Sequence, residues 1–275
     1  MYAETLEYFA KLASAKVSAL KRNPLGFFVG SMMAGAYVGL GIILIFIVGS
    51  TANPAYQKLV MGASFGIALT LVVFAGSELF TGHTMYMSIG WLKKTVGAGD
   101  VLGIWSFVWL GNLVGSAGVA AIFVLGGAAG LVDDPTSFLY KATATKMNAP
   151  VVQLLARSIL CNWLVTLALW MSARATSDAG KAIAIFWCLY AFIASGFEHS
   201  VANMTLFTIA LLGNHPASVS VSGMAYNLVW VTLGNLLAGS LIMGVGYWLY
   251  SGPQNKALEG QAAGGAAGAS RTARG

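Results

Sequence analysis

Apolar residues fall along this chain in long blocks rather than in alternation with polar ones, and the blocks have the length of membrane spans. A helix needs about 20 apolar residues to cross a hydrocarbon core of about 30 Å. Stretches free of Asp, Glu, Lys and Arg run over 23–57, 59–77, 101–132, 158–173, 182–197 and 200–255. The last is long enough for a re-entrant piece as well as a full span, so six spans is the economical count. Turn-forming residues mark the ends: Asn53-Pro54, Lys93-Lys94 with Gly97 and Gly99, Asp133-Asp134-Pro135, the polar turn 174–181, and Gly213-Asn214-His215-Pro216.

Before the first block, Leu6, Phe9, Ala10, Ala13, Val17 and Leu20 recur at helical spacing with Lys11, Ser14, Ser18 and Lys21 largely elsewhere. This predicts an amphipathic helix over 1–22, lying along the inner membrane face or packed on the protein itself. Glu4 and Glu7 interrupt it, which argues against a signal peptide. Residues 23–250 form the membrane domain, and the Gly-, Ala- and Ser-rich stretch 251–275 reads as a disordered cytoplasmic tail.

Composition narrows the function. Hydrophobic residues make up 57% and charged residues 9%, against about 25% charged in soluble chains, which excludes a soluble enzyme. Fifteen Lys and Arg against nine Asp and Glu give +6, too sparse for the basic patch of a nucleic-acid binder. Positively charged loops stay on the cytoplasmic side. With both termini inside, that side holds Lys11, Lys16, Lys21, Arg22, Lys93, Lys94, Arg174, Lys181, Lys256, Arg271 and Arg274, and the outside only Lys58, Lys141 and Lys146. Arg157 stays at the fourth span without an assigned role beyond snorkelling. Cys161 and Cys188 lack CxxC spacing and three histidines are scattered, so no disulfide, metal or other cofactor is expected, and no nucleophile arrangement suggests an enzyme.

The second and fifth spans carry what a plain membrane helix avoids. Gly76-Ser77-Glu78-Leu79-Phe80-Thr81-Gly82-His83 and Gly196-Phe197-Glu198-His199-Ser200-Val201-Ala202-Asn203 both place Gly, one residue, then Glu in mid-span, 120 residues apart. Leu110-Gly111-Asn112-Leu113 and Leu233-Gly234-Asn235-Leu236 repeat at an offset of 123. Two motif pairs at nearly one spacing predict duplicated halves of three spans, and an odd number makes the repeat inverted. Backbone leaves a helix at membrane depth only where it is buried or lines a wet path. Half-helix N-termini meeting near the midplane are expected to offer N–H groups and positive dipole ends, which favour an anion. The Gly26/Gly30, Gly35/Gly39, Gly62/Gly66 and Gly111/Gly115 pairs predict close helix contacts.

These two Glu motifs, in this order and in the second and fifth of six spans, closely resemble the formate/nitrite transporter family, over roughly residues 20–250. The resemblance implies an all-α membrane protein with an aquaporin-like protomer, broken second and fifth helices and its own pore, assembled as a homopentamer in the lipid of the bacterial inner membrane. It also implies passage of nitrite and similar small monovalent anions, assisted by protons. On the family's pattern His199 is the central histidine and Thr81 reaches it from the broken second span. Lys146 is the vestibule lysine and Asn162 its partner near the pore. Phe65, Leu69 and Leu79 narrow the cytoplasmic side, Val165 and Phe192 the periplasmic side.

Taken without the resemblance, the residues differ in what they say. His199 follows a mid-membrane Glu in a helix break, which favours a functional role. Glu198 reads as a structural anchor for loop amides or neighbouring protomers. Thr81 gains a pore role only through the repeat, since Thr often bonds its own helix backbone. His83 reads as a cap on the broken helix, Lys146 as a solvated loop charge, and the five constriction residues as ordinary core. Three rival functions remain at this level: a formate or hydrosulfide channel, a neutral-gas or water channel, and a membrane-bound sensor or enzyme subunit.

Overall fold

The computed structural model describes residues 2–252; of the tail predicted over 251–275, Ser251 instead ends a helix, and 253–275 lie outside the described residues. The described residues contain helices and no strand. In chain order the helices are α1 (Ala3–Arg22), α2 (Pro24–Thr51), α3 (Gln57–Gly76), α4 (Phe80–Leu92), α5 (Ala98–Leu125), α6 (Phe138–Met147), α7 (Val151–Arg174), α8 (Asp178–Ala194), α9 (Ser200–Leu212) and α10 (Val221–Ser251). Five of them, α2, α3, α5, α7 and α10, are long and apolar enough to cross a membrane, with 28, 20, 28, 24 and 31 residues. Even the shortest, at 1.5 Å per residue, reaches about 30 Å. The shorter α8 follows α7, and α9 continues it after a non-helical joint.

The helix starts carry ordinary caps. Asn23 Oδ1 accepts from Gly26 N at 2.9 Å with Pro24 at the first helical position. Ser177 and Ser220 accept from Gly180 N and Gly223 N at 3.1 and 3.0 Å. Glycines set the tightest crossings. A Cβ on Gly35 of α2 would collide with the backbone carbonyl of Asn112, one on Gly115 of α5 with that of Met32, and one on Gly234 with Ser158 and the Leu155 carbonyl. On α3, Gly62 and Gly66 lie against Tyr190 and Phe186 of α8. The expected small-residue contacts therefore form within one chain, except that Gly26 sits against its own cap Asn23.

The alternatives left for α1 resolve toward the protein. Leu6, Phe9, Ala10, Ala13 and Val17 are all buried. Phe9 stacks on Tyr86 and Trp170 at 5.3 and 5.6 Å, and Arg174 lies 4.9 Å above the Tyr2 ring while donating to Thr5 Oγ1. The apolar face of α1 is spent on the bundle, not on lipid.

At the centre lie the two short helices. Nearly every residue of α4 from Phe80 to Gly90, and of α9 from Ser200 to Ala210, is buried, including the polar Thr81, His83, Thr84, Ser88, Ser200, Asn203 and Thr205. The outward faces of the long helices expose Leu40, Leu44, Leu102, Ile122, Leu160 and Val229, and α8 exposes Trp187. A polar interior inside an apolar exterior is the arrangement of a membrane protein with an internal path. The chain is an all-helical, multi-pass membrane protein.

Candidate functional site

The site is built from two breaks of the same design. Helix α3 loosens into wide turns over Val72–Gly76, Gly76 takes φ +78°, and Ser77 to Leu79 run extended into α4. Helix α8 ends at Ala194, Gly196 takes φ +71°, and the chain runs extended through His199 into α9. A Cβ at either glycine would meet nothing within 4 Å, so the left-handed backbone, not space, calls for glycine there.

Each extended joint is pinned by one asparagine making the same three bonds. Asn112 accepts from Phe80 N at 2.9 Å and donates to the Ser31 and Glu78 carbonyls at 2.7 and 2.8 Å. Asn235 accepts from Ser200 N at 2.9 Å and donates to the Ser158 and Glu198 carbonyls at 2.9 and 3.1 Å. The Glu amides also match: Glu78 N donates to Gly30 O and Glu198 N to Arg157 O, at 3.1 and 3.3 Å. Backbone freed from the helix ladder is thus re-paired inside the protein, as a low-dielectric surrounding demands.

The carboxylates correspond as well. One oxygen of Glu78 takes Lys16 Nζ of α1 at 2.6 Å and the other His83 Nε2 at 2.8 Å. One oxygen of Glu198 takes Lys146 Nζ of α6 at 2.9 Å and the other Asn203 Nδ2 at 2.7 Å. Glu198 is expected from sequence to hold loop amides or a neighbouring protomer; its carboxylate instead meets the Lys146 and Asn203 side chains and also lines a cavity. Lys146 reads as a loop charge, but its stretch is the helix α6, with Leu139, Tyr140, Thr143 and Met147 buried, and it delivers the ammonium to a buried carboxylate.

Between the breaks, Thr81 Oγ1 and His199 Nε2 lie 3.0 Å apart across 118 residues of sequence. His199 is also the N-cap of α9, its Nδ1 accepting from Ala202 N at 3.2 Å. A nitrogen that accepts carries no proton, so the neutral ring holds its hydrogen on Nε2 and donates it to Thr81. The Thr81 hydroxyl hydrogen is left for another acceptor. Capping, expected of His83, belongs instead to His199 and the two asparagines, because the His83 side chain turns back to Glu78. These asparagines take the first amide of each half-helix, Phe80 N and Ser200 N.

Two cavities approach this pair from opposite ends of α3, α7 and α8. One, of about 480 Å³, is lined by Lys58, Lys141, Lys146, Arg157, Phe192, Glu198 and His199. Glu198 is the one acid among its described lining residues, against four cations. Arg157, without a role from sequence, stands in this mouth with its guanidinium donating to Gln153. The other, of about 570 Å³, is lined by Lys16, Glu78, Leu79, His83, Leu169 and Lys181.

Phe65, Leu69, Leu79, Val165 and Phe192 are each at most 5% exposed. Phe65 does not belong apart from Phe192, as the family pattern had it: their rings meet edge to face at 5.3 Å, and Phe192 stacks on His199 at 5.8 Å. The reason is that α3 and α8 pack along their length through Gly62 and Gly66. Asn162 is also placed differently. Its amide donates to Thr84 Oγ1 and the Asn235 carbonyl at 3.0 and 2.7 Å, so it braces the α4 half-helix behind Thr81 while Lys146 pairs with Glu198. Asn203 and Asn227, bonded to each other at 2.9 Å, were missed by sequence reasoning; the matching spacing of Glu78–His83 and Glu198–Asn203 was the signal for the first.

The profile described as formate/nitrite transporter matches residues 4–249. The chain is 51% identical over 254 residues to the nitrite transporter NirC of Escherichia coli (strain K12), covering 92% of this chain and 94% of that one. A solved FNT family ion channel superposes with a TM-score of 0.88 at 51% identity, over 91% of this chain and 99% of that one. A pentameric formate channel with formate bound superposes with a TM-score of 0.71 at 27% identity, over 84% and 98%. With the profile matching residues 4–249 and half of the aligned positions shared with a relative covered over 94% of its length, the chain belongs to the formate/nitrite transporter family.

Proposed function

We propose that this protein passes nitrite and similar small monovalent anions, each with a proton, through a pore in every protomer of a homopentamer in the bacterial inner membrane. The observation that carries this reading is the buried Thr81–His199 pair, with Phe192 stacked on His199 and a strongly cationic mouth on one side. The nitrite assignment draws on the 51% identity to a nitrite transporter, and the pentamer on the superposition with a pentameric channel.

The architecture behind it is six spans in two inverted halves, α3–α4 and α8–α9 forming the broken second and fifth spans. The matched bonds of Asn112 and Asn235, and of Glu78 and Glu198, support that equivalence. Both termini are cytoplasmic on the distribution of Lys and Arg, with α1 on that side and the tail beyond it. The cavity of Lys146 then opens outward and that of Lys16 inward.

Lys58, Lys141, Lys146 and Arg157 raise the local anion concentration at the outer mouth. Past them the barrier is desolvation. A bare anion between Phe65, Leu69, Val165 and Phe192 loses its hydration at a cost of many kcal/mol, whereas its neutral acid crosses far more cheaply. At the midpoint the Thr81 hydroxyl supplies a hydrogen-bond donor, oriented because His199 Nε2–H occupies its oxygen. Protonation near this pair makes the moving species neutral, so transport is faster at acidic pH. Proteoliposomes with labelled nitrite test this across pH 5 to 8: His199→Ala loses the acid stimulation, and equal uptake by variant and wild type at every pH would refute the reading. Competition between formate and labelled nitrite ranks the two anions.

A further inference from the structure

The two break carboxylates have matching neighbours with one exception, and the exception titrates. At Glu198 the residue five positions on is Asn203, whose amide donates to the carboxylate and to Asn227 Oδ1. An amide holds no exchangeable charge. At Glu78 the same place is taken by His83, 0% exposed, with Nε2 2.8 Å from the carboxylate.

A carboxylate accepts, so His83 Nε2 carries the hydrogen and Nδ1 is the nitrogen left to take a second proton. Nδ1 has no hydrogen-bond partner among the described residues, although it is buried. The Ser172 hydroxyl, on the same cavity wall, also lacks one among them. The groups facing the ring are few. Lys16 comes from α1, Tyr86 lies edge-on at 5.4 Å, Phe27 of α2 stands at 6.3 Å, and Trp105 of α5 donates its indole N–H to the His83 carbonyl. Tyr8 and Lys181 complete the titratable groups of the cavity wall, Lys181 being paired with Asp178. Among the described residues Glu78 is therefore the only carboxylate bonded to the ring, and it already serves Lys16.

Charge follows directly. With a neutral ring the Lys16–Glu78–His83 cluster sums to zero, and with an imidazolium it carries +1. The Lys146–Glu198–Asn203 cluster sums to zero at any pH where Lys and Glu stay ionised. We propose that His83 is a second proton-binding site of the pathway, at the Lys16 mouth, and that it makes this mouth alone a pH-responsive anion site. The inference rests on the proposed passage of anion plus proton.

The step balances without a further reactant. A neutral acid arriving from the barrier gives up its proton: the O–H bond breaks, its electron pair stays on the departing anion, and the proton adds to the His83 Nδ1 lone pair. Glu78 stabilises the imidazolium, the anion leaves beside a cluster of charge +1, and the proton passes on to water. In the opposite direction the imidazolium attracts the anion and returns the proton to it.

The test uses the full chain in liposomes of known orientation, with labelled nitrite and the pH varied on one face at a time. Wild-type flux changes by about tenfold between pH 8 and pH 5 on the Lys16 face, the scale on which one charge in a focusing mouth acts. His83→Asn, which copies the partner found at Glu198, removes that tenfold part of the Lys16-face response, leaving its profile like that of the Lys146 face, which stays as it was. A variant profile matching wild type on the Lys16 face overturns the proposal. A second measurement covers a variant that fails to assemble, and vesicles that move no nitrite, an outcome that would sink the transport reading itself. Nitrogen NMR of ¹⁵N-histidine-labelled wild type, with His199→Ala and His215→Asn assigning the other two signals of the three histidines, follows His83 directly. Conversion to the doubly protonated ring between about pH 8 and 5 supports it, and a ring singly protonated throughout overturns it.

Discussion

Replacing Asn235 with leucine removes three hydrogen bonds while keeping nearly the same bulk, so the loss reports on the bonds rather than on a cavity. Ser200 N, the Ser158 carbonyl and the Glu198 carbonyl all lose their partner, and Asn235 itself is 0% exposed. At about 1 kcal/mol per bond, with orphaned buried groups pulling the figure upward, Asn235→Leu costs about 3 kcal/mol or more. Because Asn112 makes the same three bonds at the other break, Asn112→Leu costs the same within about 1 kcal/mol. Denaturant-induced unfolding of the purified protein in detergent measures both, with Gly103→Ala, on an open helix face, as a control that leaves stability unchanged or slightly raised. Nitrite uptake falls with both variants, since the extended joints carry Glu78 and Glu198. A loss below about 1 kcal/mol for Asn235→Leu, or a gap of several kcal/mol between the two variants, refutes the view that these asparagines hold equivalent breaks.

Three further outcomes follow from the geometry. Gly196→Ala places a side chain at φ +71° and costs about 1–2 kcal/mol in the same unfolding assay, with Gly76→Ala equal to it. The combined Lys58→Gln, Lys141→Gln and Arg157→Gln protein leaves the Lys146–Glu198 pair intact, yet its nitrite uptake at low salt falls about tenfold; near 1 M salt, where screening shortens to about 3 Å, it matches wild type. Phe65→Ala with Phe192→Ala removes the edge-to-face ring pair; on the proposed reading electrical recordings then register increased conductance of bare anion and the acid stimulation shrinks.

Much of the architecture was legible because the chain repeats itself. The 120-residue offset of the Glu motifs and the 123-residue offset of the Asn motifs located both breaks and the two asparagines that hold them. Glycine followed by glutamate at membrane depth is costly unless the backbone leaves the helix there and the charge finds a partner, which is why these motifs stood out. Other features depend on which helix faces which. Helix α6 was hidden because its buried positions, Leu139, Tyr140, Thr143 and Met147, are too short an apolar pattern beside Asp133-Asp134-Pro135 to stand out from a loop. Phe65 and Phe192 are ordinary core in sequence, and only the α3–α8 crossing brings their rings together. Arg157 looked like a stray charge until α7 placed it in the mouth with Lys146, and the tautomer of His199 follows from one backbone amide, Ala202 N, that no side-chain pattern reveals.

The central claim is that the anion crosses with a proton, by way of Thr81 and His199. Counting protons and nitrite together in proteoliposomes, with and without an imposed pH gradient, tests it most directly. One proton accompanies each nitrite in wild type, an inward proton gradient drives nitrite uphill, and His199→Ala loses that coupling. Nitrite that moves as a bare charge, following membrane potential and ignoring the pH gradient, contradicts the account.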